Sequence, residues 1–433
     1  MPASSAQFAT STRRLATRMH QQPRAFQTTG FEVIDPAQKV EEERLPCYRS
    51  DEYYPVRMGE VLQSRYQVVA KLGYGVTSTV WLARDLVDGA YRTLKVHINT
   101  LTHNQEFLVF RHLASFATRT ATEKATEATE ATDNLGRENV RRLQDSFSLK
   151  GPHGEHDVFV MSPLGMSLRT FQNMQRGGVF PQIFVIGALD QALLGLIYLH
   201  EAEVVHTDLH ADNLLIALTD DAILKTVEEN EIRTPSARKP VGDQQCIYVS
   251  QYMLGGRGPL VICDFGQARI GRQHTGSAMP VPYRAPEILL GVPWDQAVDM
   301  WSVGLLAWNL LEHEDLFDVY DADSEENNTA HHLAAMTALL GPPPSAFLSR
   351  SQESRKYWDA DGQWQGPVPL PPTRDLASRV QTLDGDDKTN FVSFLECCLS
   401  WLPEERLPAL QLYCHPWLRG ESVEAFAARV GLS

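Results

Sequence analysis

Two short apolar runs bracket an unusually polar centre in "VVHTDLHADNLLI", Val204 to Ile216. Such runs belong in a core, so the chain must bury both flanks and still leave a polar loop where reagents can reach it. The loop follows "IFVIGALDQALLGLIYLHE", a helical pattern that is apolar on more than one face and so central to a core. An Asp and an Asn five residues apart in such a loop can converge on one site. Asp208 suits acceptance of a hydroxyl proton, and Asn213 suits Mg²⁺ ligation through its amide oxygen. His206 reads as a structural group hydrogen-bonded to backbone.

A second carboxylate, Asp264 in "PLVICDFGQAR", closes an apolar strand beside Gly266. A charge there is costly unless it meets a cation, and Mg²⁺ would supply one. Upstream, "YQVVAKLGYG" and "STVWLARDL" read as a hairpin around Gly73 and Gly75, and "YRTLKVHI" as a third strand. Glycines at a hairpin tip let backbone N–H groups approach phosphate, although a plain turn explains them equally and Ser78 stands where a third glycine is usual. Lys95 lies within the third strand. It needs an anionic partner, either Glu106 on the following helix or a nucleotide phosphate, unless the strand is an edge and the lysine faces water.

The chain has 433 residues, a net charge of -15 and 43% apolar residues, which suits a soluble globular protein of one large two-part unit or two domains. The acidity argues against direct nucleic-acid binding by bulk charge and either suits a basic partner or only aids solubility. Six cysteines without CxxC spacing favour a reducing intracellular home, in cytoplasm or nucleus. No uninterrupted apolar run approaches the ~20 residues of a membrane span. Residues 1–45 read as a disordered or targeting tail; the first thirty are rich in Arg, Ser and Thr and free of acidic residues, as mitochondrial transit peptides are. A β-rich part with one main helix is expected over 46–163 and a larger helical part over 164–420, with a short tail at 421–433. "TRTATEKATEATEATDNLG" reads as a solvated helical extension or disordered insertion. Residues 219–258 lack periodicity and read as an insertion in the helical part. "GPPPS" and "GPVPLPPT" read as surface loops, with a PxxP ligand role the weaker alternative.

In chain order, the Gly loop, strand lysine, helix glutamate, H-x-D-L-x-x-x-N, D-F-G and the A-P-E of Ala285, Pro286 and Glu287 form a known signature set. From about Tyr66 to about Arg419 the chain resembles the eukaryotic protein kinases. The resemblance implies a bilobal α+β fold, a β-rich N-lobe with one main helix and a helical C-lobe, with ATP bound between them. It assigns Lys95, paired by Glu106, to the phosphates and Asp208 to the substrate hydroxyl. Asn213 and Asp264 fall to Mg²⁺. Leu72, Gly73, Gly75, Val80, Thr93, Met161 and Leu164 would contact the nucleotide, and His206, Phe265 and Gly266 would support the site. Asp299 resembles the aspartate that anchors the catalytic loop, and Arg406 the arginine that pairs with Glu287.

Within the superfamily, "KLGYGVTSTVWLARD", "HTDLHADNLLI", the insertion before "VICDFG" and "DLFD" followed by "HHLAAMTALLG" are similar to the SR-protein kinases, especially the short SRPK-like kinases of fungi. A serine/threonine kinase acting as a monomer on basic, Arg/Ser-rich proteins is therefore expected. Asp315, Asp318, Asp321, Asp323, Glu325 and Glu326 offer an acidic surface for them, or a merely solvated loop. Two departures matter. Thr207 replaces the arginine that grips a phosphorylated activation loop, so activity without phosphorylation of Thr275 or Ser277 is expected. His210 stands where a lysine usually meets the γ-phosphate, and Pro280 where its threonine partner usually lies. A neutral imidazole supplies no fixed charge near pH 7, so slow or pH-dependent turnover is expected, with a catalytically weak scaffold as the rival reading.

Overall fold

The computed structural model describes residues 21–127, 135–241, 245–317, 319 and 324–420. They form two compact units, one drawn from residues up to 100, 144–163 and 221–252, the other from 101–143, 164–220 and 253 onward.

The first unit is built on a six-stranded sheet in the order Val61–Leu62, Tyr66–Gly75, Ser78–Asp85, Tyr91–His97, Glu155–Met161, Leu143–Lys150. Register divides its two faces by chemistry. Val80 lies opposite Lys95, Thr93 opposite Met161 and Gly73 opposite Val80, so the pleat places all five on one face. The alternating residues Trp81, Ala83, Leu94, Val96, Val158 and Val160 occupy the other face and form an apolar core with Val56, Leu62, Tyr66 and Tyr248. Lys95 is thus on an inner strand and half-buried, which removes the edge-strand reading.

Two expectations about this unit are corrected. Residues 21–45 are not a detached tail. Ile34 and Val40 pack with Ile247 in a small core, and Ile34 N donates to the Arg238 carbonyl at 3.0 Å. Arg24 pairs with Glu228 at 3.1 Å, Glu43 with Lys239 at 2.8 Å, and Glu42 with the buried ammonium of Lys71. Likewise 221–252 belongs to this unit and not to the helical one, and has regular structure: the helix Ala222–Arg233 and a hairpin of Arg238–Val241 with Gln245–Tyr248. The segments hold each other, and partners some 200 residues apart leave no local periodicity to read. Residues 1–20 and 421–433, which carry the rest of the expected tails, lie outside the described residues.

The second unit is mostly helical. Its central helix, Gln182–Glu201, meets a membrane span by length and mean hydropathy, but it packs against Leu260–Ile262, Ala297–Leu311 and Ala409–Tyr413, as a core helix does. The helix Gln105–Glu127 also clusters here, whereas the sequence groups it with the β-rich part. It runs into the Ala-Thr-Glu stretch as far as Glu127; residues 128–134 are outside the described set. Leu214–Ala217 sits between Leu260–Ile262 and Leu164–Ser167, and Val204–Val205 pairs with Arg269–Ile270. These two small ladders bring the loop after Val205 and the segment after Ile262 together.

Candidate active site

In the first unit the glycine hairpin is open. A Cβ added at Gly73 or Gly75 would meet nothing within 4 Å, and neither residue needs a positive φ. The fold itself therefore does not demand glycine, and the space suits a close-approaching phosphate chain. Leu72 lies where the register with Ser78–Asp85 shifts, and Ser78 is a buried strand residue paired with His97. Sequence reasoning missed Tyr53, whose buried hydroxyl lies 3.1 Å from the Gly75 carbonyl and 3.0 Å from that of Val76, bracing the tip. No local signal marks it, because it comes from the segment before the sheet.

In the second unit, Asp299 organises the catalytic loop from below. It is fully buried and accepts from the backbone N–H of His206 and of Thr207, both at 2.8 Å, and from His200 Nε2 at 2.9 Å. Burial alone would raise its pKa; the hydrogen bond and electrostatic attraction of His200, with the backbone N–H of His206, outweigh that and hold it below the ordinary value. His206 bonds backbone on both sides. Nε2 donates to the Cys263 carbonyl at 3.0 Å, and Nδ1 accepts from Asp208 N at 3.2 Å. Its ring meets Phe265, which is fully buried and also packs on Phe110.

Thr207 and Asp264 both hold positive φ, 66° and 63°. For a β-branched residue this is costly backbone, kept only where surroundings over-determine it. Thr207 is pinned through its N–H by Asp299 and through its hydroxyl, which donates to the Gln267 carbonyl at 2.9 Å. It ties the catalytic loop to the segment after Phe265 with no phosphate in between. Asp264 is exposed while Phe265 is buried, and its Oδ1 accepts from Gly266 N at 3.3 Å.

Asn213 Nδ2 donates to the Asp208 carbonyl at 2.8 Å and to its carboxylate at 3.0 Å. That leaves the amide oxygen for a cation. Cys263 N donates to the Asn213 carbonyl at 2.8 Å, which sets Asp264 one residue beyond this contact. Among the described residues no three His, Cys, Asp or Glu side chains gather as a metal cage. One carboxylate plus one amide fits Mg²⁺, which usually completes its shell with water and substrate phosphate.

His210 departs from expectation. Its Nε2 is 3.5 Å from Asp208 Oδ1 and its Nδ1 is 3.2 Å from Asp212 Oδ2. Burial works against the charge, but the hydrogen bonds and charges of Asp208 and Asp212 outweigh it and raise the pKa to about 9. The Asp212 N–H lies 3.3 Å from Nδ1 and Asn213 Nδ2 lies 3.2 Å from Nε2, contacts suited to a neutral ring, whereas the two flanking carboxylates favour the imidazolium. The sequence suggests a neutral His210; the carboxylates beside the ring pull its pKa upward, toward the positive charge a lysine would supply. His210→Lys should keep kcat near the parent value around pH 7, and His210→Ala should lower it about 10²-fold. Because the folded pKa is raised, the charge is present below about 9 and lost above it, so the parent rate should fall as pH rises through that value. A pH–rate profile that instead rises through the ordinary histidine range would sink this assignment.

Farther along, Glu287 and Arg406 form a bidentate pair with both contacts at 2.7 Å and no exposure. Between them and Asp264, the activation segment is moored by His274, which exchanges backbone hydrogen bonds with Trp294, and by Trp294 Nε1 on the Gly276 carbonyl. Thr275 and Ser277 are exposed. Glu106 is buried in the first turn of its helix, and Leu164 pairs with Ala217.

Known proteins share this chain's sequence over most of its length. Residues 66–418 match the protein kinase domain. A serine/threonine protein kinase of Aspergillus fumigatus is 39% identical over 92% of this chain and 95% of its own. The serine/threonine-protein kinase SRPK of Physarum polycephalum is 29% identical over 87% and 91%, and protein kinase dsk1 of Schizosaccharomyces pombe 26% over 88% and 86%. The chain belongs to the protein kinase family and is similar to its SRPK-type serine/threonine members.

Proposed function

We propose that this serine/threonine protein kinase transfers the γ-phosphate of ATP to serine or threonine hydroxyls of basic, Arg/Ser-rich proteins, and does so without prior phosphorylation of its activation segment. The observation that carries the reading is the catalytic loop itself: Asp208, held by Asn213 and by His206, with the His210 ring 3.5 Å away. Asp208 would orient the attacking hydroxyl and take its proton as the phosphoryl group moves. Lys95 would hold the nucleotide phosphates, and His210 would offset charge at the transferred group. Asn213 and Asp264 would hold Mg²⁺, which supplies positive charge to the phosphate oxygens when bound. The scaffold reading rested on His210 and Pro280; the raised pKa of His210 and the serine/threonine kinase relatives favour a catalytic enzyme.

Substrate choice rests on charge and on the similarity to SR-protein kinases. Asp315 is exposed and Glu325 and Glu326 open the helix Glu325–Leu340, while Asp318, Asp321 and Asp323 lie outside the described residues. With a net charge of -15, the chain suits a cationic substrate. The test is phosphate transfer from Mg·ATP to an Arg-Ser repeat peptide, beside a lysine-rich and a neutral serine peptide, before and after phosphatase treatment. Selective labelling of the Arg-Ser peptide that survives phosphatase is expected. Equal labelling of all three would remove the substrate assignment, and loss after phosphatase would remove the claim of unprimed activity.

A further inference from the structure

We propose that the segment Pro369-Leu370-Pro371-Pro372-Thr373-Arg374 is a docking ligand for a protein module of the SH3 type, one with an aromatic-lined groove and an acidic pocket at one end. The spacing is Pro-x-x-Pro-x-Arg. In a left-handed polyproline helix, three residues make a turn, so Pro369 and Pro372 share one edge while Pro371 and Arg374 share the next. That arrangement offers two prolines to a groove and a cation to its end, which fixes both affinity and direction.

The structure presents the segment rather than burying it. Residues 369–375 are all exposed and outside any helix or strand. Leu370, an apolar side chain, is 43% exposed, and among the described residues the Arg374 guanidinium has no hydrogen-bond or ion-pair partner. The backbone carbonyls from Pro369 to Thr373 accept no hydrogen bond among those residues either, so they are open to donors on a partner. Both ends are moored. Trp364 Nε1 donates to the Val368 carbonyl at 2.8 Å with Val368 buried, and Arg374 N donates to the Ala338 carbonyl at 3.4 Å. Beyond it, Asp375 caps the helix Leu376–Arg379, whose Leu376 is buried. Its three prolines stiffen the strap and its ends are fixed, so it loses little conformational entropy on binding. No residue of the proposed catalytic machinery lies within it.

The test is titration calorimetry of the whole protein with recombinant SH3 domains that carry an acidic end-pocket, alongside an SH3 domain lacking that pocket and a WW domain. Saturable binding to an acidic-pocket SH3 domain is expected. The double variant Pro369→Ala, Pro372→Ala should abolish it, and Arg374→Ala should weaken it at least about tenfold. Peptide phosphorylation and thermal midpoint should be unchanged in Arg374→Ala, which shows that any lost binding is not lost folding. Absence of binding to every SH3 domain, binding that survives both variants, or a preference for the WW domain would each overturn the proposal. The segment would then be a rigid connector, its prolines serving only to limit the unfolded chain.

Discussion

Asp208→Asn should lower kcat for peptide phosphorylation by about 10²–10⁴-fold while nucleotide binding stays near the parent value. The amide keeps an oxygen where Asn213 Nδ2 now meets the Asp208 carboxylate at 3.0 Å, and the backbone carbonyl contact at 2.8 Å does not involve the side chain. The loop's frame, set by Asp299 and His206, is also left intact. What disappears is the ability to accept a proton and the negative charge that orients the hydroxyl. Binding of a fluorescent ATP analogue, measured beside steady-state kinetics, separates the two effects. A fall in kcat with unchanged nucleotide affinity supports the assignment. A variant that keeps its rate would exclude Asp208 from the proton transfer, and one that loses nucleotide binding would make its role one of loop structure.

Arg406→Met should be the most destabilising single change considered, at about 3–5 kcal/mol. The guanidinium is buried and fully engaged. Two of its nitrogens meet Glu287 at 2.7 Å, one also meets the Ala297 carbonyl at 3.0 Å, and Nε donates to the Ser400 carbonyl at 3.0 Å. Its plane also lies over the Trp301 ring at 5.0 Å. Removing it strands a buried carboxylate with no counter-charge, which costs far more than the pair contributes when intact. Thermal unfolding should show a drop in midpoint of about 3–6 °C. The double variant Glu287→Met, Arg406→Met should recover much of the loss, since no charge is then left unpaired. A shift within experimental error for Arg406→Met would mean that Glu287 takes up a proton or reaches water at little cost.

Much of the second unit was legible along the chain because its signals are local. The spacing of Asp208 and Asn213, the strand before Asp264, and the apolar helix before the loop each follow from neighbours in sequence, and the ordered motifs joined them into a family resemblance. Two things were not legible, for different reasons. The role of residues 21–45 and 221–252 depends on partners such as Glu43 with Lys239 and Arg24 with Glu228, which hold no periodicity in either segment alone. The raised pKa of His210 depends on two carboxylates set within 3.5 Å of its ring. Residue type gives only the ordinary imidazole pKa; the local field decides the rest.

The sequence by itself therefore determined the fold class, through the family resemblance its motifs carry, and nominated the side chains proposed to carry the chemistry, because motif spacing is a property of neighbouring residues. Only the tertiary structure decided which face of the sheet Lys95 shares with Val80 and Met161, how Asp299 and Gln267 hold Thr207 in a costly conformation, and which carboxylates raise the pKa of His210. Register, strain and pKa arise from groups brought together by folding, and no local run of residues encodes them.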